Sequence, residues 1–201
     1  MRKDQIVLVA PEIREARLRT HVIAVLSAAA LLSGCMSMQS KNARAPEPRK
    51  PVELARFYSG TWHELARRPM SITDGCVAGA TQYERAADGT IRVLDSCRMG
   101  SPRGELKTVG GPGRILDPGK NTKLRVDYSL YGFIPVTREY WVLDRAADYS
   151  WFISADPDFG DLYIFARDPQ LGMAQRQRLV RRARELGYDV SKLEFPEQPS
   201  R

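Results

Sequence analysis

Histidine and cysteine are scarce in this chain, with two His and three Cys among 201 residues. His21 lies in an N-terminal segment with the pattern of a cleaved leader, so His63 is the one imidazole of the mature chain. A lone imidazole without clustered Cys or carboxylate partners does not make a zinc site. A Ser-His-Asp triad would need His63 on the first predicted strand, which is a poor position for it. We therefore expect no metal site and no catalytic triad.

Phosphate-binding loops and basic stripes are missing as well. The glycine cluster Gly110-Gly111-Pro112-Gly113 lies between strand-like segments and precedes no helix, so it predicts a bulge or bend in a strand and no phosphate loop. The 31 basic and 24 acidic residues give a net charge of +7, but the basic residues are scattered along the chain. Scattered basic residues argue against a nucleic-acid partner. These absences favour a non-catalytic protein that needs no cofactor.

Long apolar runs are also absent. The most apolar stretch, residues 22–32, is shorter than the roughly 20 residues that a membrane span needs. Arginines precede it and small residues follow it, which is typical of a secretory signal peptide, here predicted over residues 1–34. The stretch ends in Leu32-Ser33-Gly34-Cys35, which resembles the bacterial lipobox. That resemblance implies a diacylated Cys35 and attachment to a membrane, while an ordinary signal peptide that contains a Cys is the alternative. In bacterial lipoproteins an Asp directly after the acylated Cys usually signals retention in the inner membrane. Met36 occupies that position here, so the resemblance favours the outer membrane.

Residues 36–51 are polar, include three prolines and show no apolar period. They predict a flexible tether, so that residues 35–51 form a lipidated linker in front of a single domain over residues 52–198. Within that domain, strand-like runs follow one another with turn signals such as Ala87-Asp88-Gly89 between them. The eight predicted strands are 62–67, 77–85, 90–98, 105–115, 123–130, 138–143, 150–154 and 161–167.

One helix is predicted after the strands, over residues 173–186, because Leu179, Val180, Ala183 and Leu186 recur at helical spacing. We expect it to pack on the domain, with a membrane-binding amphipathic helix as the alternative. A meander of eight strands without helices between them is best closed into an all-β barrel, which leaves no exposed strand edges. A β-sandwich is the rival architecture.

Gly60-Thr61-Trp62 at the first strand and Phe165-Ala166-Arg167 at the last strand together resemble the lipocalins. With the lipobox and the closing stretch at residues 185–193, the chain resembles the bacterial lipocalin lipoproteins of the Blc type. The resemblance implies an eight-stranded antiparallel up-and-down barrel with its C-terminal helix on the outside. It also implies a structural barrel floor, in which Trp62 lies across the closed end, Arg167 packs over the indole and Gly60 begins the strand.

The resemblance further implies a calyx, and strand alternation then predicts which side chains face it. An apolar and aromatic lining suits an acyl chain, so a fatty acid or a lysophospholipid is the expected ligand. The same side chains could instead simply fill a core. Arg125 and Arg138 are expected to point outward. The predicted ligand-binding residues are Thr81, Tyr83, Val93, Leu124, Val126, Tyr128, Tyr140, Val142, Trp151, Ile153, Tyr163 and Phe165.

Cys76 and Cys97 remain in the exported domain. An even pair in an oxidising compartment predicts a disulfide, and two free thiols are the alternative. The expected function is a lipid-anchored outer-membrane lipocalin that faces the periplasm and stores or carries lipid. Two alternatives stay open, namely a lipocalin-fold enzyme with a free thiol in the cavity and a periplasmic adaptor with a filled barrel. A homodimer also stays open.

Overall fold

The computed structural model describes residues 44–199 of the chain. The predicted signal peptide (residues 1–34), the lipidation site Cys35 and the first part of the predicted tether lie outside the described residues. Among the described residues, no helix is long and apolar enough to cross a membrane.

Eight antiparallel strands form one closed barrel in which each strand pairs with its neighbour in sequence and the last pairs with the first. The all-β, up-and-down architecture predicted from the strand pattern is therefore confirmed. Closure satisfies the backbone groups that an open sheet would leave at its edges. The strands are β1 Gly60–Arg67, β2 Cys76–Arg85, β3 Ile91–Met99, β4 Leu106–Ile115, β5 Lys123–Leu130, β6 Ile134–Arg145, β7 Trp151–Ala155 and β8 Leu162–Ala166.

Short helical segments complete the domain. Helix α1, Leu54–Phe57, lies ahead of β1 and contributes the buried Phe57 to the closed end of the barrel. Two 3₁₀ turns span Ser71–Thr73 and Val190–Lys192. Helix α2, Met173–Glu185, follows β8.

Helix α2 packs on the outer wall of the barrel, as predicted. Its buried residues Leu179 and Ala183 belong to one apolar cluster with Leu65 of β1 and Ile164 of β8. The strands under the helix are therefore apolar on both faces. Gly187 has φ +100° and ends the helix, since a left-handed residue there favours glycine.

The orientation predicted for β7 is wrong. Phe152 lies opposite Phe165 and Ser154 lies opposite Tyr163 in the β7–β8 pairing, so these residues face the interior. Trp151 and Ile153 face the other way and pack in the cluster under α2. Alternation alone does not decide this strand, because the helix makes its outer face as apolar as its inner one.

The glycine cluster of β4 marks a close approach between strands. The β3–β4 pairing runs without a register shift from Ile91 to Arg98, so the expected bulge is absent from it. A Cβ at Gly111 would lie 2.0 Å from the Asp127 carbonyl oxygen of β5, which leaves no room for a side chain. The hydrogen-bonded pairing of β4 with β5 covers only Gly113–Ile115 and Leu124–Val126.

The last part of the predicted tether lies along the barrel instead of extending away from it. The Ala45 amide donates to the Pro157 carbonyl at 3.1 Å, and Lys50 pairs with Asp144 at 2.7 Å. Farther along, the Val52 amide donates to the Lys120 carbonyl at 2.9 Å. A prediction from composition missed these contacts because they depend on partners about 70 to 110 residues away in the sequence.

Candidate functional site

The closed end of the barrel is sealed by Trp62. Its indole is fully buried, its Nε1 donates to the Phe57 carbonyl at 3.0 Å, and the Arg167 guanidinium lies 3.6 Å from its ring centre. Arg167 also donates to the carbonyls of Thr61 at 2.8 Å and Arg56 at 3.1 Å. The guanidinium thus combines a cation–π contact with backbone hydrogen bonds across the closed end.

Aromatic rings fill the barrel above this floor. Phe152 makes an edge contact with Trp62 at 4.7 Å between ring centres and stacks on Phe165 at 4.9 Å. Tyr83 meets Tyr58 at 5.3 Å. This lower half of the interior is a packed core and leaves its side chains little exposed surface. Eight of the predicted lining residues belong to the buried cluster of the interior, namely Tyr83, Val93, Leu124, Val126, Tyr128, Val142, Tyr163 and Phe165.

The upper half of the interior is more open and more polar. Val109, Val136 and Tyr140 pack against the interior cluster but keep some exposed surface. The Tyr128 hydroxyl donates to Asp95 at 2.6 Å and lies 3.2 Å from the Tyr140 hydroxyl. Accessible apolar walls beside hydroxyls are the features of a ligand site.

Asp95 is the unexpected member of this upper half. It lies directly opposite Thr81 in the β2–β3 pairing, so both face the interior. Burial raises the pKa of the Asp95 carboxyl, and the hydrogen bond from Tyr128 acts in the opposite direction. A second negative group is disfavoured beside this carboxyl, so an anionic head group is better accommodated elsewhere.

Arg138 supplies positive charge near the opening. The β5–β6 pairing runs without a register shift, so Arg138 shares the inward face of β6 with Val136 and Tyr140, contrary to the expected outward orientation. Its side chain is 45% exposed, and its Nη1 lies 3.6 Å from the Asp161 carboxylate. Arg125 does point outward and binds Glu139 at 2.6 Å on the barrel surface.

A buried ion pair joins β1, β2 and the C-terminal tail. Arg67 is almost fully buried and donates to Glu64 at 2.5 Å and to the Cys76 carbonyl at 2.8 Å. Its Nε also lies 2.6 Å from the Glu194 carboxylate. Gly79 makes the space, because a Cβ there would approach the Glu64 carboxylate to 2.8 Å. The pair is a structural element at the edge of the calyx.

Cys76 and Cys97 form the predicted disulfide across β2 and β3, with their Cα atoms 5.5 Å apart. Closing a loop of this length contributes about 3 kcal/mol by restricting the unfolded chain. Both cysteines of the described residues are therefore oxidised, and neither is a free thiol. His63 lies opposite Ala166, which belongs to the cluster under α2, so its ring faces away from the calyx. Over residues 44–199, no cluster of His, Cys, Asp and Glu has the arrangement of a metal site.

The family model for the lipocalin-like domain matches residues 52–198. The chain is a lipocalin. Temperature-induced lipocalin-1 of Arabidopsis thaliana is 35% identical over 142 residues, which cover 68% of this chain and 74% of that protein. The outer membrane lipoprotein Blc of Citrobacter freundii is 29% identical over 185 residues, covering 89% of this chain and 96% of the relative. The predicted resemblance to bacterial lipocalins is confirmed.

Solved structures show the same fold at lower sequence identity. Insecticyanin from the tobacco hornworm Manduca sexta superposes on this lipocalin with a TM-score of 0.59 and 21% identity, over 77% of this chain and 85% of the other. Agreement at that identity concerns the barrel alone, and ligand choice has to be argued from the residues of this calyx.

Proposed function

We propose that this lipocalin binds one acyl lipid, a fatty acid or a lysophospholipid, with its chain in the upper half of the calyx and its anionic head group near Arg138. The observation that carries the proposal is the inward face of β6, where Val136, Arg138 and Tyr140 follow one another at alternate positions. Along β6, Val136 lies nearer the opening than Arg138 and Tyr140 lies deeper, so apolar and aromatic surface flanks a partly exposed guanidinium that matches a carboxylate or phosphate.

The charges in the calyx support this polarity of binding. Asp95 is hydrogen-bonded inside the barrel by Tyr128, whereas the Arg138 side chain is 45% exposed, and a carboxylate or phosphate is disfavoured beside Asp95. Arg138 has only the 3.6 Å contact with Asp161 as an ion pair, which leaves guanidinium donors for a ligand. The aromatic packing around Phe152 fills the lower half of the interior, so the acyl chain reaches no deeper than these rings. A single chain with its head group toward the opening satisfies all three conditions.

The lipobox-like sequence at Cys35 and the relatives support a proposed location. The lipobox precedes the domain, and the outer membrane lipoprotein Blc matches nearly the whole chain. We therefore place the protein on the periplasmic face of the outer membrane, anchored by acyl groups on Cys35, where it stores or carries lipids for maintenance of the envelope. Two or more acyl chains give stable anchoring. The alternative of an enzyme with a free cavity thiol loses its candidate nucleophiles to the Cys76–Cys97 bridge.

The Val136→Trp variant tests whether the upper calyx holds the ligand. An indole at this inward position, between Arg138 and the opening, would obstruct the entrance of the calyx, so we expect the affinity for oleate and for lysophosphatidylglycerol to fall about tenfold or more. Competition against a fluorescent fatty acid measures both. Thr137→Trp is the matched control, since Thr137 is exposed on the opposite face of the same strand and should leave affinity unchanged. Equal losses in the two variants, or wild-type protein that binds no acyl ligand, would contradict the proposed site.

The Arg138→Gln variant tests the position of the head group. Loss of a charge-assisted hydrogen bond is expected to weaken oleate binding about tenfold. Monoolein has the same chain without the negative charge, so its affinity should change little. The ratio of the two affinities, measured by the same competition, reports the head-group contact separately from any change in folding. A uniform loss for both ligands would exclude Arg138 as the anion-binding residue.

A further inference from the structure

The described part of the chain starts at the open end of the barrel. The loop between β7 and β8 belongs to that end, and its Pro157 carbonyl accepts the hydrogen bond from the Ala45 amide at 3.1 Å. Ala45 is buried beside Leu143 and Ala155, so this contact is part of a packed surface. From Ala45 the chain runs toward the closed end and enters α1. Arg44, the first described residue, therefore lies beside the opening.

A hairpin with an apolar tip stands at the same end. Tyr131 and Phe133, in the turn between β5 and β6, are 83% and 76% exposed, and Ile134 is 41% exposed. The seven residues from Leu130 to Val136 include no charged side chain. Large aromatic side chains with this exposure at one point are unusual on a soluble surface and mark an interaction site.

The backbone presents these rings away from the barrel. Tyr131 has φ +53°, a left-handed conformation that a bulky residue rarely adopts, and Gly132 follows with φ +81°. The β4–β5 pairing ends at Val126 of β5, whereas the β5–β6 pairing continues to Leu130 and Ile134 at the base of the turn. Strain of this kind persists where the surrounding structure imposes it, and it is concentrated at functional sites.

We propose that the hairpin tip, Leu130–Val136, inserts into the head-group region of the bilayer that holds Cys35, so that the open end of the calyx faces the membrane. Tyrosine and phenylalanine suit this region because it accommodates an apolar ring beside polar groups. The proposal rests on the anchoring and lipid binding proposed above. It adds an orientation and a route, in which a lipid leaves the bilayer and enters the calyx without crossing the periplasm.

The length of the tether is consistent with this orientation. Eight residues lie between Cys35 and Arg44, and the nine Cα–Cα steps that connect the two span at most about 30 Å. Trp141 pairs with Ala155, which lies in one cluster with Ala45. Seven residue steps along β6 lead from Trp141 to Ile134 at the tip, which is about 23 Å along the strand. The acylated Cys35 and the hairpin tip can therefore reach the same membrane surface.

The charge near the opening indicates which lipids are needed. The β7–β8 loop carries Asp156, Asp158 and Asp161, and the hairpin tip carries no basic residue. The uncharged tip needs no anionic lipid, so docking by its aromatic rings should work on zwitterionic lipid and change little with salt. Phosphatidylcholine vesicles are accordingly the probe membrane.

The first experiment measures depth in the acylated full-length protein on phosphatidylcholine vesicles that contain a nitroxide-labelled lipid. Phe133→Trp places a fluorescent reporter at the tip, and Leu94→Trp places one on the outer wall of β3, where Leu94 is 45% exposed. After subtraction of wild-type emission, we expect quenching of the tip reporter to exceed that of the wall reporter about threefold or more. Equal quenching of the two reporters would overturn the proposed orientation.

The second experiment measures transfer of a fluorescent fatty acid from the vesicles to the anchored protein. We expect Tyr131→Ser/Phe133→Ser to slow transfer about tenfold while its affinity for the dissolved probe stays unchanged. Leu94→Ser/Leu116→Ser removes a comparable pair of exposed apolar side chains away from the opening and should not slow transfer. Transfer by the tip variant at the wild-type rate would refute the route. Wild-type protein that fails to bind the dissolved probe would refute the lipid-binding function, and the quenching result would still decide the orientation.

Discussion

Replacement of Trp62 by alanine is expected to lower the free energy of unfolding by about 3 to 5 kcal/mol. The indole is fully buried, touches Phe57 and Phe152, and holds the Arg167 guanidinium over its ring. Its removal leaves a cavity at the closed end and a half-buried guanidinium without its aromatic contact. Urea unfolding followed by circular dichroism measures the change.

The matched control for this variant is Trp141→Ala. Trp141 lies on the outer wall, where the Lys123 ammonium sits 3.8 Å from its ring centre. Its partial exposure predicts a loss of less than about 2 kcal/mol, since a truncation at the surface leaves no closed cavity. A loss at Trp62 no larger than that at Trp141 would mean that the floor is not a unit of the core. Because the ligand is proposed to bind above this floor, the folded fraction of the Trp62 variant should keep much of its affinity for oleate.

The floor could be predicted from sequence because its two halves are marked by rare residue types at the two ends of the strand series. Trp62 follows a glycine at the first strand, and Arg167 follows the last. The orientation of strands such as β5 could also be predicted, since apolar residues alternate from Leu124 to Tyr128 with polar residues between them. A strand with one solvent-exposed polar face and one buried apolar face has its register and its orientation fixed together.

Where both faces of a strand are apolar, the sequence carries no such information. Trp151 and Ile153 were assigned to the calyx, yet they contact the cluster under α2 while Phe152 faces inward. The decisive fact is the position of helix α2, which begins at Met173, 18 residues after β7 ends at Ala155. Packing of a helix on a strand is a tertiary contact, and no local periodicity encodes it.

Polar residues on the interior face were missed for a related reason. Alternation from Tyr140, which is itself predicted to face the calyx, places Arg138 on the inward face, whereas its charge favoured the outward orientation that the structure contradicts. Asp95 follows the same alternation two residues after Val93. A prediction that looks only for apolar lining residues leaves out Arg138 and Asp95. A calyx nevertheless needs a few polar side chains on its inner face to orient a ligand.

Replacement of Arg67 by methionine is expected to cost about 3 to 5 kcal/mol of unfolding free energy at pH 8, because it leaves Glu64 as a buried carboxylate without a cation. The variant also removes the donor to the Cys76 carbonyl and the ion pair with Glu194. Arg92→Met is the matched control. Arg92 pairs with Glu84 at 3.4 Å on the surface, with both side chains about two-thirds exposed, and its loss should cost less than about 1 kcal/mol.

The pH dependence separates the buried charge from simple loss of packing. Burial raises the pKa of Glu64, and Arg67 acts against that rise. Without Arg67 the folded-state pKa rises further, so the folded variant binds a proton that the unfolded chain releases near pH 4.3. The variant therefore loses stability as the pH rises above that value and recovers as the pH falls toward it. We expect the difference between wild type and Arg67→Met to narrow from pH 8 to pH 5, and Glu64→Gln/Arg67→Met to remove most of that dependence. A defect of constant size across this range would show that Arg67 acts through its hydrogen bonds to β2 and not through the charge of Glu64.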